Sequence, residues 1–466
     1  MSRKPSSVST SRSAAAAEGS TSLASLGGAG EVPGPVLVWP AFVKTLRHFF
    51  PQFAGRLAGV SDPRDPRFIV YPISYVLMSG ILLFLTKLGA RRQMRFHFTT
   101  PQFIDNVNRL LGTSCETMLH SDTLAYLAKR LPEQELADLR RILVYDLVRQ
   151  KVFEKARLLG QYYLVAIDGT GHLTFRERHC DHCLTQKHGS VVVYYHPVLE
   201  AKLVTPGGMA ISIATEFIEN PNAGVDKQDC ERKAFERLSK RFKQDFPQLR
   251  ICLLLDSLYA CGPIFDRCDK YGWQFIVTFK EGSASAVFEE YERLKAAGAP
   301  CHPMASTPGA QNYWWVNGVD FSDHAVNVLE CREQDATGKS TRFVWVTALP
   351  VDDTNYAEIA NRGGRLRWKI ENEGFNIQKN NGYELEHAYC EQERGAKNFY
   401  LFLQIAHLLA QLLEKGILAK RIPKEIGALK NVARFLLEEL RRTAMTGTDF
   451  TAILSQRIQI RFHDSS

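Results

Sequence analysis

Leu253–Phe265 reads LLLDSLYACGPIF. Three leucines run into Asp256, and a small-residue turn and an aromatic follow. A buried strand that carries a carboxylate at its C-terminal tip is one reading. An Asp that caps a helix is the other. The pattern occurs a second time, in Tyr162–Phe175, YYLVAIDGTGHLTF, where the apolar run meets Asp168. Two apolar strands that each end in Asp suggest one shared site.

Reading outward from these two strands, Tyr162–Ile167, Val191–Tyr195 and Met209–Thr215 are rich in β-branched and aromatic residues and read as strands. A helix follows from Gln228 to about Phe246. Then come the strand Ile251–Leu255, a short helix near Pro263–Tyr271 and the strand Gln274–Phe279. Three meandering strands, a crossover helix and two further strands predict a mixed α/β sheet of the ribonuclease-H-like kind. In that arrangement the tips of the first and fourth strands are neighbours, and Asp168 and Asp256 face one point. The core is expected over 156–281 and 351–395. It is interrupted by a β-rich insertion, 282–350, which contains QNYWWVNGV, HAVNVLECRE and TRFVWVTALP. Residues 36–155 show helical apolar spacing, with caps such as Ser121 and Pro132. They read as a helical domain, with DNA-end binding as its expected role. Residues 396–466 read as C-terminal helices, and 1–35, rich in Ser, Ala and Gly, as a disordered tail.

A chain of 466 residues with 45% hydrophobic and 23% charged residues is an ordinary globular protein, which excludes the disordered and fibrous classes. The net charge of +8 permits a polyanionic partner. Ten cysteines scattered along the chain do not make a secreted disulfide framework and point to a reducing cytoplasm. The apolar run Ile73–Leu85 is shorter than the ~20 residues a membrane span needs. It is read as a buried helix, and no membrane is expected as a partner.

Three carboxylates meeting at strand tips and one helix suit hard divalent cations, so Mg²⁺ or Mn²⁺ is the expected cofactor. The third must come from the helix after the insertion, where RWKIENEGF offers Glu371 and Glu373. At about 100° per residue, Glu373 falls on the stripe of Ile359, Leu366, Ile370 and Ile377.

The stretches AIDGTG, LLLDSLYACGPIF, RWKIENEGFNIQK and NNGYELEH together resemble the DDE transposases of bacterial insertion sequences, in particular the group with a Tyr-Arg-Glu-Lys signature. The resemblance covers about 160–390. It implies that Asp168, Asp256 and Glu371, with Glu373 as the alternative, bind two Mg²⁺ ions and drive cleavage and strand transfer at transposon ends. It also implies that Arg367 matches the signature Arg and that Lys379 reaches a phosphate. The signature Tyr is replaced by Gly364, and Gln378 stands where the Lys belongs, one residue before Lys379. Aligning the signature on Phe375 and Lys379 instead shifts its Glu to Asn372 and implies one extra residue in the helix, of the kind that forms a π-bulge. The implied partners are terminal inverted repeats and target DNA, bound by a homodimer or larger assembly in the cytoplasm at the nucleoid. A catalytically inactive DNA-binding derivative and a metal-dependent nuclease on the same core are the competing readings.

One further stretch, RHCDHCLTQKH, carries Cys180, Cys183 and His188, with His179 and His182 between and beside them. Cys-x-x-Cys is half of a structural zinc site. No second Cys-x-x-Cys follows, so zinc is disfavoured as a cofactor.

Overall fold

Leu164–Ile167 and Ile251–Leu255 are unbroken apolar runs, as expected of strands covered on both faces. In the computed structural model they pair as parallel neighbours at the centre of a sheet. The structure describes residues 37–306, 309–455, 459, 460 and 462, so the tail expected over 1–35 lies outside the described residues.

The strands are β1 (Tyr163–Phe175), β2 (Leu184–His188), β3 (Val191–Val204), β4 (Ala210–Phe217), β5 (Ile251–Leu255), β6 (Gln274–Thr278), β7 (His302–Ser306), β8 (Gly309–Phe321), β9 (His324–Gln334) and β10 (Ser340–Thr347). They form one sheet in the order β2-β3-β1-β5-β6-β10-β9-β8-β7. β2 pairs with the first part of β3, and β4 pairs with the second part. The β1–β5 and β5–β6 pairs are parallel, and the remaining pairs are antiparallel. The β-rich stretch extends this same sheet, because Trp345 to Thr347 of β10 pair with Thr278 to Ile276 of β6.

β1 runs further than the sequence pattern predicts. It continues seven residues past Asp168, because β3 stays paired with it from Leu203↔Val165 to Tyr194↔Phe175, across a bulge at His172. Asp168 therefore lies inside a strand, opposite Glu200, and only the neighbouring β5 ends beside it.

The N-terminal helices are α1 (Val38–Phe49), α2 (Phe53–Ala58), α3 (Ile73–Leu85), α4 (Met94–His97), α5 (Pro101–Leu111), α6 (Ser121–Arg130) and α7 (Glu133–Arg149). α8 (Glu231–Asp245) crosses from β4 to β5. α9 (Gly262–Tyr271) leads into β6, and α10 (Ser285–Ala296) packs on β8. Residues 356–380 wind irregularly: α11 (Tyr356–Glu358), a π segment Ile359–Gly363, a 3₁₀ segment Gly364–Trp368, a second π segment Ile370–Asn376 and α12 (Ile377–Asn380). α13 (Glu393–Lys415), α14 (Leu429–Arg442) and α15 (Gly447–Ser455) follow.

Segment 356–380 covers one face of the sheet. Ile359, Leu366, Ile370 and Phe375 pack with Leu164, Ala166, Leu254, Ile276 and Trp345. Gly363 and Gly364 permit that approach. A Cβ on Gly363 would lie 2.6 Å from Ile276 Cδ1, and one on Gly364 would overlap the Trp345 ring. On the opposite face α8 buries Ala234, Phe235, Leu238 and Phe242.

All of α3 is buried, and it packs against α13, which joins the N-terminal helices to the sheet. Asn398 of α13 donates to the carbonyls of Ala128 and Leu131, both at 2.8 Å. Glu439 of α14 accepts from the Val38 and Trp39 amides at 2.9 and 2.8 Å, satisfying donors that the first turn of α1 cannot pair internally. Among the described residues no helix is long and apolar enough to cross a membrane. The architecture is mixed α/β, a central sheet flanked by N- and C-terminal helices.

Candidate functional site

The parallel register of β1 and β5 pairs Ala166 with Leu254, and two steps further it sets Asp168 beside Asp256. β5 stops at Leu255, where Asp256 caps the following 3₁₀ turn by accepting from the Leu258 amide at 2.9 Å. Asp256 is thus both a strand-tip carboxylate and a cap.

From the face covered by 356–380, Arg367 reaches both neighbouring acids. Its Nη1 lies 3.3 Å from Asp168 Oδ2, and its Nη2 lies 3.0 Å from Glu371 Oε1. The Arg367 residue is only 6% exposed, so its guanidinium and the Asp168 end of the bridge are sheltered from water, while Glu371 reaches solvent. Glu373 is engaged elsewhere, with its Oε1 2.6 Å from Lys369 Nζ. The α-helical rotation that sets Glu373 on the apolar stripe does not hold here, because Ile370–Asn376 is π-wound. Lys379 pairs with Glu386 at 2.7 Å. Trp368, 49% exposed, lies beside the site with the Arg367 guanidinium 4.2 Å from its ring centroid.

A fourth carboxylate, Glu231, joins the group from the start of α8. It packs directly on Gly169, where any Cβ would overlap its carboxylate, and it accepts from the Tyr259 hydroxyl at 3.4 Å. The charge alternation of the α8 sequence hides this residue among solvated neighbours. Its one distinguishing signal is its position as the first helical residue after β4.

Burial pushes the Asp168 carboxyl up to about 7. Arg367 opposes the shift, and Glu371 and Asp256 add to it. Glu231 is raised by burial and by Asp256. Tyr259 is raised by burial, then by Glu231, Asp256 and Asp168. Carboxyl groups driven toward neutrality by burial and like charge, with one guanidinium between them, are the arrangement in which a side chain can take up and release a proton near pH 7.

A second cluster lies on the same hairpin system. Cys180 and Cys183 sit in the connection 176–183, and His196 is in β3. Cys180 Sγ is 3.6 Å from Cys183 Sγ, and His196 Nε2 is 3.3 and 3.2 Å from the two sulfurs. Burial lowers His196 to about 4, so its imidazole is neutral, the form that ligates metals. Burial raises the Cys180 thiol to about 11.

Two expectations are corrected by this geometry. His188 is not the third member. In the β2–β3 hairpin it pairs with Val191 at the turn, whereas Leu184, next to Cys183, pairs with Tyr195, next to His196. His188 lies five positions along the strand from Cys183, a span of roughly 16 Å. The cofactor expectation, Mg²⁺ or Mn²⁺ with zinc disfavoured, is also overturned. Among the described residues, the group whose ligand atoms all lie within 4.8 Å of one another is Cys180, Cys183 and His196, a sulfur–nitrogen set of zinc type. Between Asp168 and Glu371 the positive charge is the Arg367 guanidinium.

No family model matches the chain, and no curated protein matches it.

Proposed function

We propose that the chain is a DNA transposase, which cuts phosphodiester bonds at the ends of an insertion sequence and joins the freed ends to target DNA. The observation that carries this reading is the meeting of Asp168, Asp256 and Glu371, with Arg367 bridging Asp168 and Glu371. The three acids come from β1, from the end of β5 and from the segment after the inserted strands, in that chain order. The order β4-β3-β1-β5-β6, with β3 antiparallel to its neighbours, supports a ribonuclease-H-like core.

In this reading Asp168, with a carboxyl near 7, takes the proton of the attacking water. The new oxygen–phosphorus bond forms as the bond to the 3′-oxygen breaks, and that oxygen leaves as a hydroxyl, taking a proton from solvent water. In the joining step the same hydroxyl gives its proton to Asp168 as it attacks a target phosphodiester, and the target's 3′-oxygen leaves as a hydroxyl with a proton from solvent water. Arg367 faces the charge that builds on the phosphoryl oxygens. Trp368 offers an exposed face for stacking on a base. The net charge of +8 favours DNA, the N-terminal helices hold the ends, and a dimer or larger assembly brings two ends together at the nucleoid.

The test uses the full-length chain and a labelled duplex carrying the ends of its own element. Cleaved and joined products are expected. Asp168→Asn, Asp256→Asn and Glu371→Gln should each abolish both products while DNA binding persists. Cleavage without joining would favour a nuclease on the same core. Binding by the wild-type chain with neither product would favour a DNA-binding protein without catalysis.

A further inference from the structure

We propose that Cys180, Cys183 and His196 bind one Zn²⁺, which fastens the β1–β2 connection onto β3. This site stands on its own geometry, independent of the transposase reading. Zinc bonds of about 2.3 Å to sulfur and about 2.0 Å to nitrogen place tetrahedral ligands at S···S about 3.8 Å and S···N about 3.5 Å. The three contacts here are 3.6, 3.3 and 3.2 Å, so the donors stand within a few tenths of an ångström of one face of that tetrahedron.

The surroundings are those of a held site. The connection is tied down on both sides of Cys183. Asn220 Nδ2 donates to the Cys183 carbonyl at 2.9 Å, and the Asn220 amide donates to the His182 carbonyl at 3.1 Å. His196 turns its other nitrogen, Nδ1, toward Glu219 Oε1 at 3.9 Å, and Glu219 is itself paired with Lys397 at 2.6 Å. A carboxylate on that side of the ring favours a proton on Nδ1, which leaves Nε2 for the metal, although 3.9 Å is too long for a hydrogen bond. Cys180 and His196 also line a small cavity with His179, Glu391 and Glu393, which has room for a water as the fourth ligand.

The connection needs such a fastening. Arg176, Glu177, Arg178 and Asp181 give it no apolar surface to bury, and Cys183 is its one fully buried side chain. Metal–ligand bonds supply what burial cannot in a segment of this composition. His196 is paired in register with Leu173 of β1, the strand that carries Asp168. The ion would therefore lock the far end of β1 and hold the strand in register at the carboxylate site.

The experiment measures metal by mass spectrometry in full-length protein purified without a metal-binding tag. One zinc per chain is expected in the wild type. Replacement with Co²⁺ should give the visible d–d bands of tetrahedral cobalt and a near-ultraviolet thiolate charge-transfer band. Cys180→Ser, Cys183→Ser and His196→Asn should each lose at least nine-tenths of the zinc and the cobalt spectrum. His188→Asn should keep both. His196→Cys, which supplies a sulfur ligand, should retain zinc and shift the charge-transfer intensity upward. That variant keeps the test decisive if His196→Asn fails to fold. Wild-type protein that takes up no zinc after reconstitution, or cysteine variants that keep it, would overturn the proposal. DNA cleavage is not a readout, so the outcome is separate from that of the transposase assay.

Discussion

Asp168→Asn should make the protein more stable at alkaline pH while abolishing its proposed chemistry. In the folded chain burial holds the Asp168 carboxyl near 7, against ~3.9 in an unfolded chain. Three units at about 1.36 kcal/mol each give a penalty on the order of 4 kcal/mol for keeping the ionised group folded. The sign follows from proton binding. Between about pH 4 and 7 the folded state holds a proton that the unfolded state has released, so stability falls across that window and levels off above it. Asparagine has nearly the same shape and never ionises. It gives up the 3.3 Å charge-assisted contact to Arg367, which the shifted carboxyl value already includes. We expect the variant to exceed the wild type by about 2–4 kcal/mol at pH 8, and by under about 0.5 kcal/mol at pH 4. Urea unfolding curves, followed by tryptophan fluorescence at pH 4, 5, 6, 7 and 8, would measure both limits. Most substitutions at partly buried polar positions destabilise, so the direction is informative. A variant less stable than wild type at pH 8, or a gap that does not widen from pH 4 to 7, would refute the account of Asp168 as a carboxyl strained by its site.

Glu371→Gln should abolish DNA cleavage and Glu373→Gln should leave it within about threefold, because Arg367 links Glu371 and not Glu373 to Asp168; the reverse result in a gel assay would reassign the third carboxylate. Gly169→Ala should cost about 1–3 kcal/mol in the same unfolding assay, since its Cβ overlaps the Glu231 carboxylate, and Glu231→Ala in the same chain should recover most of that cost. Trp368→Ala should weaken single-stranded DNA binding by about 1–3 kcal/mol in an anisotropy titration, with little change in thermal midpoint, because the ring is half exposed. Binding of duplex ends by the wild type should weaken steeply as salt rises, and a flat salt profile would argue against phosphate contacts.

What the sequence determined by itself is what depends on short stretches of chain. The apolar runs before Asp168 and Asp256 read as strands and are strands, because an unbroken β-branched and leucine-rich run needs cover on both faces. The helical spacing of 36–155 gave helices, and the mixed α/β order with helices at both ends is present. The extra residue implied by Phe375 and Lys379 takes the form of π winding over Ile370–Asn376. Register and long-range pairing were decided only by the tertiary structure. Whether β1 stops at Asp168 or continues to Phe175 depends on how long β3 stays beside it, which no local pattern states. The choice of His196 over His188 is likewise a question of register: a hairpin carries one histidine to its turn and returns the other to the cysteines. Glu231 meets the carboxylates because α8 is laid across the sheet from β4 to β5, more than sixty residues from Asp168 and 25 from Asp256 in sequence. A site built from several strands and helices is fixed by contacts between residues distant in the chain. Their partners are chosen by packing and by the hydrogen-bond ladder, whereas propensity and periodicity act only over the few residues of a single turn or strand.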